Sequence, residues 1–205
     1  MPPTIYHLLK LCKCYHLISM RVLVACEFSG IVRDAFAARG HRAWSCDLLD
    51  SERPGLHLQM DVRKLLRAPW DLLIAHPPCQ YLARSGARWW SALENGEQED
   101  ALEFVQTLLD APIHRIALEN PPGAIGTRIR PADQYVQPWQ FGHGETKMTG
   151  LWLKNLPLLQ PTNVVDGRSP KTHYAAPGPE RWKNRSRTYA GLADAMAEQW
   201  GSADV

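Results

Sequence analysis

Two segments of the sequence place reactive side chains directly after stretches with the composition of β-strands. The short apolar run that begins the stretch 71–80 stops at a proline pair, which Cys79 follows, and residues 113–118 lead into Glu119 and Asn120, which a second proline pair follows. Because proline cannot donate to a sheet ladder, each strand must end there and the chain must turn. Open α/β sheets build their sites at the carboxyl ends of strands. We therefore expect Cys79 and Glu119 to share one pocket.

A thiolate beside a carboxylic acid is suited to covalent catalysis on an electron-poor ring. A pyrimidine carbon is too unreactive to take a methyl group directly. A thiolate that adds at C6 makes C5 nucleophilic, and an acid at N3 neutralises the charge that develops. An ordinary cysteine is only a few per cent thiolate at neutral pH. This chemistry therefore predicts positive charge or amide donors near Cys79.

Two other interpretations of Cys79 compete with this one. A lone cysteine beside a turn is commonly a small buried hydrophobic residue, but the second strand-end cluster favours chemistry. Acyl transfer would need a histidine base. His76 is near in sequence, but it precedes the prolines, on the strand side of the turn. Acyl transfer is therefore less favoured.

The beginning of the fold has the pattern of a nucleotide-binding unit. Residues 22–25 form a continuous β-favouring apolar run of the kind that is buried on both faces. A turn with Phe28, Ser29 and Gly30 follows, and residues 31–39 have the spacing of an amphipathic helix. A strand, a small-residue turn and a helix make up the first half of a mononucleotide-binding βαβ unit.

Acidic residues follow the next two predicted strands. Asp47 comes after residues 42–46, near the offset of about 20 residues at which an acid reaches a ribose hydroxyl, and Asp61 comes after residues 57–60. A turn or capping aspartate is the alternative for each. Together with the small-residue first turn, the two acids predict a ligand of the adenosine type.

The remaining sequence predicts two more helices and one more strand. Helices are expected at residues 97–110 and 191–200 and a strand at 151–153, whereas residues 123–140 and 157–184 have an irregular, proline-rich pattern. The sequence shows neither an internal repeat nor a second domain.

Basic and aromatic side chains are interleaved in two places, as a phosphate backbone and unstacked bases require. One is the loop after Cys79 and the other lies late in the irregular segment, where a solvated surface loop is the competing interpretation. The predicted nucleic-acid-binding residues are Arg84, Arg88, Arg181, Lys183, Arg185 and Arg187.

The composition sets outer bounds on the function. The 205 residues suffice for one α/β domain, and a net charge of +2 neither requires nor excludes a nucleic-acid partner. The five cysteines have no zinc-ligand spacing, which predicts free thiols, no metal site and a reducing, cytoplasmic compartment. We find no apolar run long enough to span a membrane. Met20 directly precedes the first strand, so we expect residues 1–19 to be a leader or tail, with a structured helix as the alternative.

The two reactive segments, in this order, resemble motifs of the 5-cytosine DNA methyltransferases. The resemblance rests on Pro-Pro-Cys-Gln at 77–80 and Glu-Asn-Pro at 119–121, preceded by Phe-Ser-Gly at 28–30. It covers roughly residues 22–153 and, more faintly, the last helix. It implies a Rossmann-like doubly wound α/β sheet of the S-adenosylmethionine-dependent methyltransferase type.

The same resemblance implies the roles of individual residues. Cys79 would be the nucleophile, Glu119 would contact a flipped cytosine with Asn120 beside it, DNA would be the partner, and the setting would be a bacterial or phage-infected cell. S-adenosyl-L-methionine would be the cofactor. Its implied binding residues are Phe28, Ser29, Gly30, Asp47, Leu48, Asp61, Val62 and Pro78.

The sequence also departs from this family. Where members carry a Gln-x-Arg-x-Arg motif, Lys147 is the basic residue, so it is the implied cation near the base, with Arg128 or Arg130 as alternatives. Residues 20–205 are expected to form a single catalytic domain, in which only 156–187, a short basic region, replaces a long target-recognition region. In this respect the sequence resembles the compact members of the family that phage and prophage genomes encode. The DNA sequence that the protein recognises would be short, or it would recognise none, or a second protomer in a homodimer would supply the recognition.

Three alternatives remain beside this resemblance. Amino methyltransferases use an Asp/Asn-Pro-Pro-aromatic turn, and His76 and Cys79 occupy both working positions, which disfavours that class. Another one-carbon transfer to cytosine C5, on DNA or on a free nucleotide, would keep Cys79 and Glu119. A non-catalytic DNA-binding protein with a vestigial pocket is the third, and the intact Cys79 and Glu119 argue against it.

Overall fold

The computed structural model describes residues 19–84, 96–172, 174, 178 and 180–202. The strands in these ranges are β1 Arg21–Ala25, β2 Arg42–Asp47, β3 His57–Gln59, β4 Leu72–Ala75, β5 Arg115–Asn120, β6 Gln134–Val136 and β7 Thr149–Lys154. The helices are α1 Ile31–Ala38, α2 Glu97–Leu109, α3 Ala124–Arg128, α4 Arg181–Ser186 and α5 Ala190–Trp200, with single 3-10 turns at Val62–Lys64 and Pro138–Gln140.

The seven strands form one sheet in the order β3-β2-β1-β4-β5-β7-β6. The first five strands in this order, β3, β2, β1, β4 and β5, are parallel to one another. Strand β7 runs antiparallel to both β5 and β6. Ala75 pairs with Ala25 on one side and with Leu118 on the other, so β1, β4 and β5 end at the same edge. The predicted fold class, a Rossmann-like doubly wound α/β sheet, is confirmed.

Each face of the sheet is covered by helices over its own hydrophobic core. One core joins Val22 and Val24 of β1 to α1 and α5, and it includes the fully buried Trp200. The other joins the alternate residues of β1, such as Leu23, to α2 and α3. Successive side chains of a strand point to opposite faces, and strands buried on both faces are continuously apolar. This arrangement explains the unbroken apolar run in β1.

Two segments predicted to be irregular contain regular structure. Residues 123–140 include α3, the edge strand β6 and a 3-10 turn, and residues 157–184 include the first part of α4. These predictions were wrong because the elements are short. Strand β6 has three residues and is held by its pairing with β7, which a local pattern cannot show.

Some predicted features lie outside the described residues, namely the leader at 1–18, Arg88 and the two tryptophans that follow it. The described thiols of Cys26, Cys46 and Cys79 are free, as predicted. Among the helices that the structure describes, none has the length and apolar character to cross a membrane.

Candidate active site

Cys79 lies in the turn that follows β4. The N–H of His76 donates to the carbonyl of Ala25 at 2.9 Å, which continues the hydrogen bonding with β1 up to the prolines. Beyond them, the carbonyl of Cys79 accepts from the N–H groups of Leu82 (3.1 Å) and Ala83 (2.9 Å) and closes a tight turn. Cys79 is exposed. The residue is thus accessible at the carboxyl edge of the sheet.

Glu119, on the neighbouring strand β5, contacts the residue that ends β4. Its Oε2 lies 2.8 Å from Nδ1 of His76, and the side chains of Glu119 and His76 are only 13% and 7% exposed. Burial alone would raise the pKa of Glu119, but the hydrogen bond with His76, the charges of His76 and Lys147 and a hydrogen bond with Thr149 outweigh it. The pKa of Glu119 therefore lies below its usual value, and the carboxylate is the resting form.

Asn120 connects the same two strands through the backbone. Its Nδ2 donates to the carbonyl of Pro77 at 2.8 Å, and the residue is 1% exposed. Its Oδ1 is buried without a hydrogen-bond partner among the described residues. The contact gives Asn120 a positional task, since it holds the proline turn that carries Cys79.

The charges around Cys79 act in opposite directions. Desolvation by the surrounding protein raises the pKa of the thiol and the Glu119 carboxylate raises it further, whereas Lys147 and Arg185 lower it. The net direction is upward, so the free protein holds Cys79 as a thiol at neutral pH. The two cations reduce the cost of the thiolate, as the predicted chemistry requires.

Lys147 and Arg185 form one unit although they come from distant segments. Nζ of Lys147 donates to the backbone carbonyl of Arg185 at 2.8 Å, and the N–H of Lys147 donates to Oε1 of Gln137 at 2.9 Å. The sequence predicted Lys147 near the base but assigned Arg185 to DNA binding alone. No motif marks Arg185, because its place depends on where α4 docks.

Arg128 and Arg130, the alternatives to Lys147, are engaged with other groups. Arg128 pairs with Glu99 at 2.8 Å. Arg130 pairs with Asp133 at 2.7 Å and donates to the carbonyl of Leu153 at 3.0 Å. Lys147 is therefore the one of the three candidates whose charge acts on both Cys79 and Glu119.

The turn after β1 is organised by the buried Glu27. Its carboxylate accepts from the N–H groups of Val32 (2.6 Å) and Arg33 (3.2 Å) at the start of α1, and from the hydroxyl of Ser29 at 3.3 Å. Ser29 is thus bonded within the turn itself. Gly30 has a φ of 70°, a conformation that glycine adopts without strain.

Helix α4 covers this turn. The ring of Trp182 lies 5.9 Å from that of the buried Phe28. Arg187, just after the helix, makes a bidentate ion pair with Glu52 in the loop after β2. The predicted cofactor turn and the predicted nucleic-acid-binding helix are therefore in direct contact.

The acids after β2 and β3 converge on the end of β1. After burial itself, Asp47 and, to a lesser extent, Asp61 raise the pKa of the Cys26 thiol. Asp47 accepts from the N–H of Leu49 at 3.0 Å, and Asp61 is paired with Arg63 at 2.6 Å. Both carboxylates thus lie near the β1 turn but are bonded within their own loops.

The apolar residues predicted to hold the cofactor differ in accessibility. Leu48 is 73% exposed and Val62 is only 4% exposed, within the core. Pro78 is exposed beside Cys79. Leu48 and Pro78 can contact a ligand directly, whereas Val62 can only pack behind the residues that contact it.

The predicted nucleic-acid-binding residues do not form a single unpaired surface. Arg187 is bound to Glu52, and Lys183 pairs with Glu180 at 3.3 Å. Arg84 is exposed after the Cys79 turn. Two of the predicted cations, Lys183 and Arg187, are therefore already engaged in ion pairs within the protein.

Two cavities lie near this edge of the sheet. A small one of about 10 Å³ is lined by Glu119, Lys147, Thr149 and Tyr189, among others, and has room for one water molecule. A larger one of about 530 Å³ lies along residues 50–59 and includes none of the predicted cofactor-binding residues. Cys79 lines neither of these two cavities.

Comparisons with known proteins give the following similarities. No protein-family model matches the sequence, and no curated protein matches it. A solved structure of the S. pombe Dnmt2 methyltransferase is similar at a TM-score of 0.48 and 16% identity, over 78% of this chain and 57% of that chain.

Two further solved structures are similar over smaller parts. One is WbdD in complex with a kinase inhibitor, with a TM-score of 0.41 and 14% identity, over 69% of this chain and 37% of that chain. The other is an rRNA methylase from Escherichia coli, with a TM-score of 0.35 and 18% identity, over 66% of this chain and 57% of that chain. The chain thus spans less than two thirds of the length of each of these proteins.

Proposed function

We propose that the protein is an S-adenosylmethionine-dependent methyltransferase that methylates C5 of cytosine in DNA through a covalent bond from Cys79 to C6. The observation that carries the proposal is the placement of an exposed cysteine and a buried carboxylate at the ends of adjacent parallel strands, β4 and β5. The two groups are electrostatically coupled, since Glu119 acts on the pKa of Cys79.

The base side of the reaction follows from these groups. As the sulfur of Cys79 bonds to C6, N3 gains a proton that is delivered through Glu119, and C5 becomes nucleophilic. Lys147 and Arg185 stabilise the thiolate during attack. After methyl transfer, C5 loses its proton to solvent, N3 returns its proton to Glu119, and the S–C6 bond breaks with release of the Cys79 thiolate. Asn120 keeps the turn in place throughout, through Pro77.

The residues after β1, β2 and β3 fit the proposed cofactor. Two carboxylates near the β1 turn can accept hydrogen bonds from hydroxyl groups, and the exposed Leu48 can contact a flat apolar ring. S-adenosylmethionine, when bound, supplies an electrophilic methyl group. We expect Phe28, Gly30, Asp47, Leu48 and Asp61 to hold it.

DNA is the proposed substrate because cations flank the reactive thiol. Arg185 acts on Cys79, and Arg84 is exposed just after its turn. A nucleic-acid backbone needs such positive groups, and its binding should weaken with salt. A flipped or single-stranded base would reach Cys79 from the open side. A second copy of the chain could supply the recognition surface that the short region 156–187 lacks.

Trapping with DNA that contains 5-fluorocytosine tests this function. With S-adenosylmethionine, the wild type should form a complex that survives denaturation, because fluorine at C5 blocks the final elimination. Cys79→Ser should form none, and Glu119→Gln should form it about 10²–10⁴-fold more slowly. Cys46→Ala, which removes a buried thiol from β2, is the matched control and should still be trapped.

Calorimetry with S-adenosylhomocysteine separates loss of the nucleophile from loss of the fold. Cys79→Ser should bind it as the wild type does, and Asp47→Ala should bind it about 10–100-fold more weakly. A complex that persists in Cys79→Ser, or no complex in the wild type, would reject the proposal. Trapping of the free fluorinated nucleotide but not of DNA would assign the same chemistry to a nucleotide substrate.

A further inference from the structure

The His76–Glu119 contact has no counterpart in the motif that predicted Cys79 and Glu119. Both side chains are almost fully buried and their polar atoms are 2.8 Å apart. The backbone of His76 is fixed by its bond to Ala25 in β1. His76 therefore cannot move without disturbing either the sheet edge or Glu119.

The contact with Glu119 indicates which ring nitrogen of His76 carries a proton. Nδ1 lies 2.8 Å from Oε2 of the Glu119 carboxylate, which can only accept, so Nδ1–H donates to it. Nε2 is buried and has no hydrogen-bond partner among the described residues.

The groups that face this pair are consistent with that assignment. Glu27, on the β1 turn, faces His76 and is committed to the N–H groups of α1. Lys147 faces Glu119 from the β7 side, and Thr149 offers it a hydroxyl. Cys79 faces it from the turn after β4. His76, Lys147 and Thr149 each favour the carboxylate form of Glu119.

On the basis of the proposed cytosine chemistry, we propose that His76 is a positioning residue that holds Glu119 as a carboxylate, so that Glu119 takes the proton of the Cys79 thiol and passes it to N3 of the base. The resting site then holds a thiol and a carboxylate. This state explains why the site needs neither a preformed thiolate nor a separate base.

The proton balance of this step closes within the site. The S–H bond of Cys79 breaks and its proton moves to the Glu119 carboxylate, while the sulfur electron pair forms the bond to C6. Electrons of the ring move toward N3, which takes the proton from Glu119 and restores the carboxylate. When the S–C6 bond breaks, the N3 proton returns through Glu119 to the sulfur and restores the thiol, so the proton lost from C5 is the one that the whole reaction releases.

Three substitutions at His76 test the proposal. His76→Asn can place an N–H where Nδ1 lies, His76→Gln places its amide one bond further out, and His76→Leu has no donor. One readout is the titration of the Glu119 carboxyl by ¹³C NMR without substrate, assigned with Glu119→Gln. The other is the pH dependence of adduct formation with 5-fluorocytosine DNA, because a purely structural residue would change the amount of adduct but not its pH profile.

We expect His76→Leu and His76→Gln to raise the pKa of Glu119. Because the reaction needs the carboxylate, adduct formation should begin to fall at a higher pH in these variants than in the wild type, by about tenfold for each pH unit below the pKa of Glu119. His76→Asn should titrate as the wild type does. If His76→Leu does not fold, the comparison of His76→Gln with His76→Asn decides.

Equal titration of Glu119 in the wild type and in the variants without a donor would overturn the proposal, as would identical behaviour of His76→Asn and His76→Gln. A titration that depends on His76 in a wild type that forms no adduct would instead reject the cytosine chemistry, and with it the proton transfer. The positioning of Glu119 by His76 would survive that result, so the two failures are distinguishable.

Discussion

The two halves of the carboxyl edge are held together in different ways. In the base half, residues 76–79 and 119–120, buried side chains bridge two neighbouring strands: His76 to Glu119, and Asn120 to Pro77. In the cofactor half, residues 26–30, 47–48 and 61–62, the two acids are bonded within their own loops. Side chains thus bridge neighbouring strands in the base half, whereas the cofactor half is bonded within its turn and loops, with Glu27 holding the start of α1.

This difference matches what each half has to do. A group that forms and breaks bonds must be held within a fraction of an ångström, which buried contacts between rigid elements provide. A bound cofactor can instead order loops around itself. Late segments then close each half, with Lys147 and Arg185 acting on the base half and Trp182 on the cofactor half.

Asn120→Ala should have the largest effect on stability, because it tests whether the base half depends on its cross-strand bridges. The substitution removes the bond to the Pro77 carbonyl in a buried site. We expect it to lower the free energy of unfolding by about 1–3 kcal/mol, as measured by denaturant unfolding. Trapping by Cys79 should fall with it, because the turn would lose its anchor.

Gln106→Ala is the matched control for Asn120→Ala. It removes an exposed side-chain bond to Asp110 on α2, far along the chain from either half. Its effect should stay within about 0.5 kcal/mol. If both substitutions cost the same, the bridges of the base half contribute no more than a surface contact.

The sequence was sufficient to predict the parts of the site that depend on single strand ends. Cys79 and Glu119 could be placed together because parallel strands end at one edge, and the motif order supported the same pairing. Arg185, the cover formed by Trp182 and the His76–Glu119 contact could not be predicted. Each depends on where one side chain meets another far along the chain, which strand periodicity and local motifs do not encode.

Lys147→Met should have a smaller effect, confined to the chemistry of the base half. The charge of Lys147 lowers the pKa of Cys79, so its loss raises that pKa and reduces the thiolate at a given pH. Alkylation of Cys79 by iodoacetamide at neutral pH, followed by peptide mass spectrometry, should slow by about 3–10-fold. Lys147→Arg keeps the charge and should react almost as the wild type does. Faster alkylation of the Met variant would contradict this assignment.

Arg187→Ala should have the smallest effect, because it tests a closing contact of the cofactor half that is partly open to solvent. The side chains of Arg187 and Glu52 are 31% and 34% exposed, and ion pairs of this kind contribute about 0.2–1 kcal/mol.

The hydrogen bond with Arg187 lowers the pKa of Glu52. The pair therefore stabilises the fold above the unfolded pKa of a glutamate, and the contribution is lost as the pH falls through the folded pKa. The wild type and Arg187→Ala should differ at pH 7 and converge in acid or at high salt. A difference in the free energy of unfolding that persists at low pH would mean that Arg187 acts through packing on Phe28, whose ring lies 5.9 Å from its guanidinium. The cofactor half would then, like the base half, be held by contacts that do not depend on an exposed ion pair.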